Sequence, residues 1–402
     1  MTRQSDKNLI KNAFTKKTVL ILCLLTVFCF NSFSEILQDE VYNFSLDIPE
    51  GFQMEDYTED GTSYFFAHTG IPVYFALKLT TKGDLDSSGF VLDSALTKLS
   101  AIYSIDDFTW NESNCAIADF SITFDQLYKG WAVTAPLQQK GCFITLICYA
   151  PADIQDKCNQ FIMSLLNSLC VNEKYYCAPG IIVSYAFPKE GDRIVNLNIE
   201  GAKIQTKIDK SDIESSNFLI EMEYSVLILY AQHPLWKEAW QRYYRLIYRD
   251  SFARLENCIS DVLDVLYPLA ERKNPQNPDL FVSQSLLSWV QKFTYTRNNE
   301  TRNSTDFTSL PAAICGDGND CDSRSLLICM FMRAMGYESI LLVSPEYSHA
   351  LATVEMDVPG QKYIPAGTDR EFIMGETTAK VTWGMIAQDQ ADRSKWIPVY
   401  LP

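Results

Sequence analysis

The apolar residues of this chain change period along its length, and a fold must accommodate both periods. Alternation of two, the mark of a strand with one buried face, runs through residues 42–48, 62–67, 73–80, 116–124, 130–136 and 142–149. Residues 90–103 and 152–169 repeat instead at helical spacing, with Leu92, Leu96, Leu99 and Ile102 on one stripe and Ile154, Cys158, Phe161, Ile162, Leu165 and Leu166 on another. Alternation resumes in residues 181–186, 194–199, 202–208 and 218–229, with turns at residues 189–192 and at Glu200-Gly201. From His233 onward the helical period dominates, carried by Trp240, Tyr243, Tyr244, Ile247, Leu255, Ile259, Val262, Leu263 and Leu266 within residues 236–272. That stripe is read as core. The expected class is α+β: an antiparallel sheet with helices, a β-rich middle segment, and a carboxy-terminal α+β part.

A chain of 402 residues exceeds what one hydrophobic core usually fills, so several domains are expected. The boundaries read from the pattern are 1–34, 35–172, 173–232 and 233–402. Lys11, Lys16 and Lys17 precede an apolar run at residues 18–30, followed by Ser32 and Ser34. A helix needs roughly 20 apolar residues to span a bilayer, so residues 1–34 read as a cleaved export signal with no stable membrane span afterwards. Leu22 and Phe28 precede Cys23 and Cys29 where a lipid-attachment site wants a small residue, which disfavours lipidation. The mature chain is expected in the periplasm, at the cell envelope or outside the cell. A formal charge of −16 argues against nucleic acid as a partner, because phosphate neutralisation needs clustered Lys and Arg.

Ten cysteines remain after such a cut, at 115, 142, 148, 158, 170, 177, 258, 315, 321 and 329. Export would let disulfides persist, and the pairing is not legible. No pair has CxxC spacing and the chain holds three histidines, so zinc ligation lacks its ligand set and no cofactor is called for.

One cysteine stands apart. Cys321 lies where the turn-rich residues 316–320 give way to the apolar helical run 326–335. A helix amino terminus presents unpaired amides and a positive dipole end, which favour a thiolate. Asp320 and Asp322 would oppose that charge if they point inward, or cap the helix. His349 follows the strand-like residues 339–343 and opens residues 350–355, and Glu376 follows in Gly375-Glu376-Thr377-Thr378, ahead of the strand-like 381–383. Thiol, histidine and acid in this order suit nucleophilic catalysis, in which the imidazole takes the thiol proton and the acid holds the ring. The structural alternative is a disulfide from Cys321 to Cys315 or Cys329, with His349 an ordinary strand residue.

The segments Asp320-Cys321-Asp322-Ser323-Arg324-Ser325, Met332-Arg333-Ala334-Met335-Gly336-Tyr337, His349-Ala350 and Glu376-Thr377-Thr378 resemble the transglutaminase-like superfamily, and more narrowly its bacterial transglutaminase-like cysteine peptidase group. The resemblance covers about the last 130 residues. It implies a papain-like α+β fold with Cys321 as nucleophile, His349 as base and Glu376 as the ring-orienting acid. The third position is often Asp in the wider superfamily, a departure here. It also implies an oxyanion donor on the preceding helix, for which Gln291 is favoured over Trp289. The expected activity is thiol acyl transfer on a protein or peptide, with water giving a peptidase or amidase and an amine giving a transglutaminase. The competing expectation is an inactive transglutaminase-like binding or assembly protein of the cell envelope. Asp306 is read as loop support.

Near the amino terminus, Phe44-Ser45-Leu46-Asp47-Ile48-Pro49-Glu50-Gly51-Phe52, with the order strands, helix, strands, helix, resembles the PsbP and Mog1 domains, which implies binding or assembly more often than chemistry. His68, beside a turn, is read as a surface residue.

Overall fold

The computed structural model describes residues 36–81, 87–296 and 305–402. Residues 1–34, read above as an export signal and holding Cys23 and Cys29, lie outside them, as do residues 297–304. The class is α+β. The described residues form two compact units: those of 36–176 with Gly180–Tyr185 and Ser225–Ala239, and those of Cys177–Pro179 with Ala186–Tyr224 and Trp240–Pro402. The segment 173–232, expected to stand as one β-rich piece, is therefore divided between them.

The first unit runs β1 (Ile36–Asp39), β2 (Phe44–Asp47), β3 (Phe52–Tyr57), β4 (Ser63–His68), β5 (Tyr74–Thr80), α1 (Ser88–Lys98), β6 (Ile102–Trp110), β7 (Ser113–Thr123), β8 (Leu127–Pro136), β9 (Phe143–Pro151), α2 (Gln155–Asn167), β10 (Leu169–Val171) and α3 (Ile181–Ala186). Seven strands pair antiparallel in the order β3-β4-β5-β9-β8-β7-β6, and β2 lies between β1 and β10. The strict alternation of β5 between buried and half-buried positions is the pattern that made it legible. Ser87 starts α1 by accepting the Phe90 amide at 3.2 Å, and the helix then buries Leu92 and Leu96 against Ala116, Ala118, Phe120 and Ile147. Each such leucine contributes about 1.5–3 kcal/mol through burial.

Two readings of this unit change. Residues 181–186 are helical because Asn167, at the end of α2, accepts the amides of Ile182 at 3.1 Å and Val183 at 3.0 Å. That cap comes from a residue distant in sequence. His68 is buried, 8% exposed. Its Nδ1 accepts the amides of Gly70 at 3.0 Å and Ile71 at 2.8 Å, which assigns the ring proton to Nε2, and Nε2 donates to the Glu50 carbonyl at 2.8 Å. The Tyr230 hydroxyl donates to the same carbonyl at 2.6 Å, and the Phe52 and Phe161 rings stand edge-on to the imidazole. Burial lowers the His68 pKa from 6.5 to about 4.

The second unit holds β11 (Asp192–Ile199), β12 (Ala202–Asp209), α4 (Asp212–Leu229), α5 (Trp236–Lys273), α6 (Pro278–Val290), α7 (Leu310–Ile314), α8 (Cys321–Ala334), β13 (Ser339–Ser344), β14 (His349–Val354), β15 (Lys362–Tyr363), β16 (Phe372–Gly375) and β17 (Ile397–Tyr400), with the Ser225–Ala239 stretch of α4 and α5 assigned to the first. β11 and β12 form a hairpin whose turn residues Glu200 and Gly201 have φ of 52° and 81°, the left-handed pair that matches the twist of the strands. Residues 218–229 belong to a helix rather than a strand. Leu219, Ile220, Met222, Glu223 and Val226 are its buried positions, a helical spacing, and Glu223 pairs with Arg242 of α5 at 2.9 Å. Arg254 of α5 grips Asp212 and Asp250, each at 2.8 Å. Removing one member of such a buried pair costs about 3–5 kcal/mol, because the other charge is stranded.

The sheet of this unit has the order β15-β16-β14-β13-β17, all antiparallel, and α8 packs on β13 and β14. Ile340, Leu342, Leu351, Phe372, Met374 and Trp396 form a core cluster on this sheet. Residues 381–383, read as a strand, form a loop that lays the Trp383 ring 2.4 Å from where a Gly375 Cβ would sit, so only glycine fits immediately before Glu376.

Candidate active site

Helix α8 begins at the candidate nucleophile. Asp320 takes extended backbone angles and accepts the Ser323 amide at 2.8 Å, so it is the N-cap. Cys321 is thereby the first helical residue, 1% exposed. Every residue from Ser323 to Met332 is buried, which anchors the helix against the sheet.

His349 opens β14, paired with Ser344 of β13. The β14–β16 pairing ends with Ala352 opposite Gly375, so Glu376 emerges beside the first turn of β14. Imidazole Nε2 and Glu376 Oε2 are 2.8 Å apart, with side chains 11% and 8% exposed. The other carboxylate oxygen, Oε1, accepts both the amide and the hydroxyl of Thr378 at 2.6 Å. Burial alone would raise the Glu376 pKa, but the bonds from His349 and Thr378 outweigh it and hold the carboxyl below its ordinary range. An ionised Glu376 that accepts the Nε2 proton leaves Nδ1 as the basic nitrogen.

Other α8 residues bind these elements together. Ser325 donates to the Ala350 carbonyl at 3.2 Å and shares a hydrogen bond with Thr377 at 3.1 Å. The buried Arg324 spends Nε on Asn319 at 2.6 Å, Nη1 on the Thr377 carbonyl at 3.3 Å and Nη2 on the Phe293 carbonyl at 2.8 Å. One guanidinium thus ties the residue after Glu376 to the turn before Cys321.

Gln291, expected to aim its amide at an oxyanion, has another task. It ends α6, and its Nε2 donates to the carbonyls of Glu376 at 2.8 Å and Val381 at 3.0 Å. Both amide hydrogens are committed to shaping the acid loop, so the oxyanion assignment is withdrawn. Trp289 is buried against Phe293 and Phe331.

The thiol is held in a way that the sequence only partly signals. Cys321 Sγ donates to Asp322 Oδ1 at 3.2 Å, and the Ala350 backbone hydrogen-bonds the sulfur. Asp322 Oδ2 accepts the hydroxyl of Tyr244, from α5. Burial, then the charges of Asp322 and Asp320, push the thiol well above its ordinary range, and the Ala350 bond opposes them. Burial likewise raises both carboxyls, with Asp306 adding to each. The two acids flanking a candidate thiol were visible in the sequence. Which one caps and which one meets the sulfur was not, and Tyr244 and Thr378 gave no separate signal.

Cys315, Cys321 and Cys329 are free thiols, so the alternative of a disulfide to Cys321 is not formed here. Among the described residues no cluster of three or more His, Cys, Asp or Glu could hold a metal, and no helix is long and apolar enough to cross a membrane.

No known family profile matches the chain, and no curated protein does. Among solved structures it is weakly similar to PsbP (CyanoP) of Synechocystis sp. PCC 6803, at 12% identity and a TM-score of 0.29 over 37% of this chain and 98% of that one. It is similar at 17% identity and a TM-score of 0.25 to LpqN, described as involved in cell envelope biogenesis of Mycobacterium tuberculosis, over 31% of this chain and 78% of that one. A Bacteroides thetaiotaomicron structure spans 78% of this chain and 84% of its own at 8% identity and a TM-score of 0.24.

Proposed function

We propose that this chain is a thiol acyl-transfer enzyme, a transglutaminase-like cysteine peptidase or amidase, in which Cys321 is the nucleophile, His349 the base and Glu376 the acid that orients the ring. The 2.8 Å contact between His349 Nε2 and Glu376 Oε2 carries this reading, because Thr378 fixes the carboxylate from its other side. In the reaction, Cys321 Sγ attacks an amide carbonyl carbon as its proton passes to His349 Nδ1. The C–N bond then breaks, the imidazolium returns that proton to the leaving amine, and a thioester remains. Water, activated by the same nitrogen, cleaves the thioester to a carboxylic acid and restores the thiol. With Gln291 engaged elsewhere, the Cys321 backbone amide at the start of α8 is the oxyanion donor of this reading. The substrate is a protein or peptide, met after export directed by residues 1–34.

The test is the pH dependence of Cys321 alkylation in the folded protein, read by peptide mass spectrometry, beside the same profile for His349→Ala. Labelling that slows in the variant, together with release of amine from peptide substrates, supports the reading. Labelling indifferent to His349 refutes it. That outcome favours a binding or assembly protein, the second reading that the raised thiol pKa supports.

A further inference from the structure

The proton of a working nucleophile has to reach the imidazole, yet the Cys321 thiol donates to Asp322 Oδ1. Asp322 receives a donated hydrogen on each oxygen, from the thiol and from the Tyr244 hydroxyl. Acceptance at both oxygens is the pattern of an ionised carboxylate. The Tyr244 side of the arrangement is built. Its ring is 4% exposed and meets those of Trp240, Tyr243 and Phe307, so the hydroxyl has little freedom to leave. Asp320 is unsuited to the same role, because its Oδ1 is spent on capping α8.

We propose that Asp322 is a positioning residue that restrains the nucleophile: anchored by Tyr244, its carboxylate holds the Cys321 proton away from His349 and keeps the resting thiol neutral. This rests on the reading of Cys321 and His349 as nucleophile and base, and names the regulation of that site. The groups that face Asp322 are consistent with it. Tyr244 comes from α5, Cys321 adjoins it on α8, Asp306 comes from the loop before α7, Asp320 precedes α8, and His349 comes from β14. Tyr243, beside Tyr244, feels the same three aspartates. His349 is the one of these that can carry positive charge, and proton transfer to it would place a cation in a cluster of acids. A substrate that displaces the thiol from Oδ1 therefore frees its proton for transfer to His349.

The experiment measures the rate of Cys321 alkylation by iodoacetamide against pH in the full chain, in wild type, Asp322→Asn, Asp322→Ala, His349→Ala and the Asp322→Asn/His349→Ala pair. The expected result is an acid-ward shift of the profile by about one pH unit, hence about tenfold faster labelling at pH 7, in Asp322→Asn and in Asp322→Ala. The shift persists in the paired variant relative to His349→Ala, so the restraint is read independently of whether His349 acts as base. Unchanged or slower labelling in variants that keep the wild-type circular dichroism overturns the proposal. If neither Asp322 variant folds, the infrared difference between wild type and Cys321→Ala decides. A hydrogen-bonded S–H band at pH 7 supports the proposal, and its absence, signifying a thiolate, overturns it.

Discussion

Acid should loosen the first unit through one side chain. His68 is held neutral by geometry: Nδ1 accepts two backbone amides and would lose both as acceptor on protonation. Its pKa of about 4 lies below the ordinary 6.5 of an unfolded histidine, so between these values the unfolded chain binds the extra proton. Stability from this group is complete above about pH 6.5, declines as pH falls, and is lost below about pH 4. At about 1.4 kcal/mol per pH unit, the gap corresponds to roughly 2–4 kcal/mol. His68→Asn isolates the effect, because an asparagine oxygen can still accept the Gly70 and Ile71 amides but has no proton to gain. The assay is urea unfolding at pH 7.5 and pH 4.5, with hydrogen-exchange mass spectrometry of β4 and β5 peptides reporting on this unit. Wild type should lose at least about 2 kcal/mol more than the variant across that interval. Equal losses in the two proteins would refute the account of a buried, neutral imidazole.

In the second unit, Glu376→Gln removes the charge from the His349 contact while keeping an acceptor. A hydrogen bond to a charged group contributes about 1.5–3 kcal/mol, so amide turnover should fall about 10- to 100-fold, measured as kcat/KM. The Glu376 carboxyl is held below its ordinary 4.5, so its contribution to stability is complete above that pH and disappears as pH falls through the lower folded value. Acid unfolding of β14 and β16, followed by hydrogen exchange, should be correspondingly less steep in Glu376→Gln. Arg324→Leu strands the Asn319, Thr377 and Phe293 acceptors and should destabilise this unit by about 3 kcal/mol or more in urea unfolding. Gly375→Ala drives a methyl into Trp383, and a lower Tm with weaker His349–Glu376 coupling is expected in thermal melts and activity assays.

Much of the architecture is local and therefore legible. The strands at 73–80, 116–124, 130–136 and 142–149 and the helices around Leu92 and Phe161 announce themselves by period, and the turn-rich residues 316–320 ahead of an apolar helical run mark the start of α8. The order of thiol, histidine and acid was on the chain as well. Residues 181–186 and 218–229 misled because a short apolar, β-branched run reads the same in either period. In the second, Glu221 and Glu223 two residues apart were compatible with one exposed strand face, whereas the fold buries Glu223 on Arg242.

The sequence by itself determined the α+β class, the helical start at Cys321, and which side chains could serve as nucleophile, base and acid. Those properties follow from neighbours within a few residues. Tertiary structure alone decided that Glu376 meets His349, that Gln291 shapes the acid loop, that His68 is buried, and that Asp322 accepts a hydrogen bond from the Cys321 thiol on one oxygen and from the Tyr244 hydroxyl on the other. Each of those depends on partners far along the chain, and on burial, which sets the strength of a charge or hydrogen bond and is a property of the packed molecule rather than of any segment.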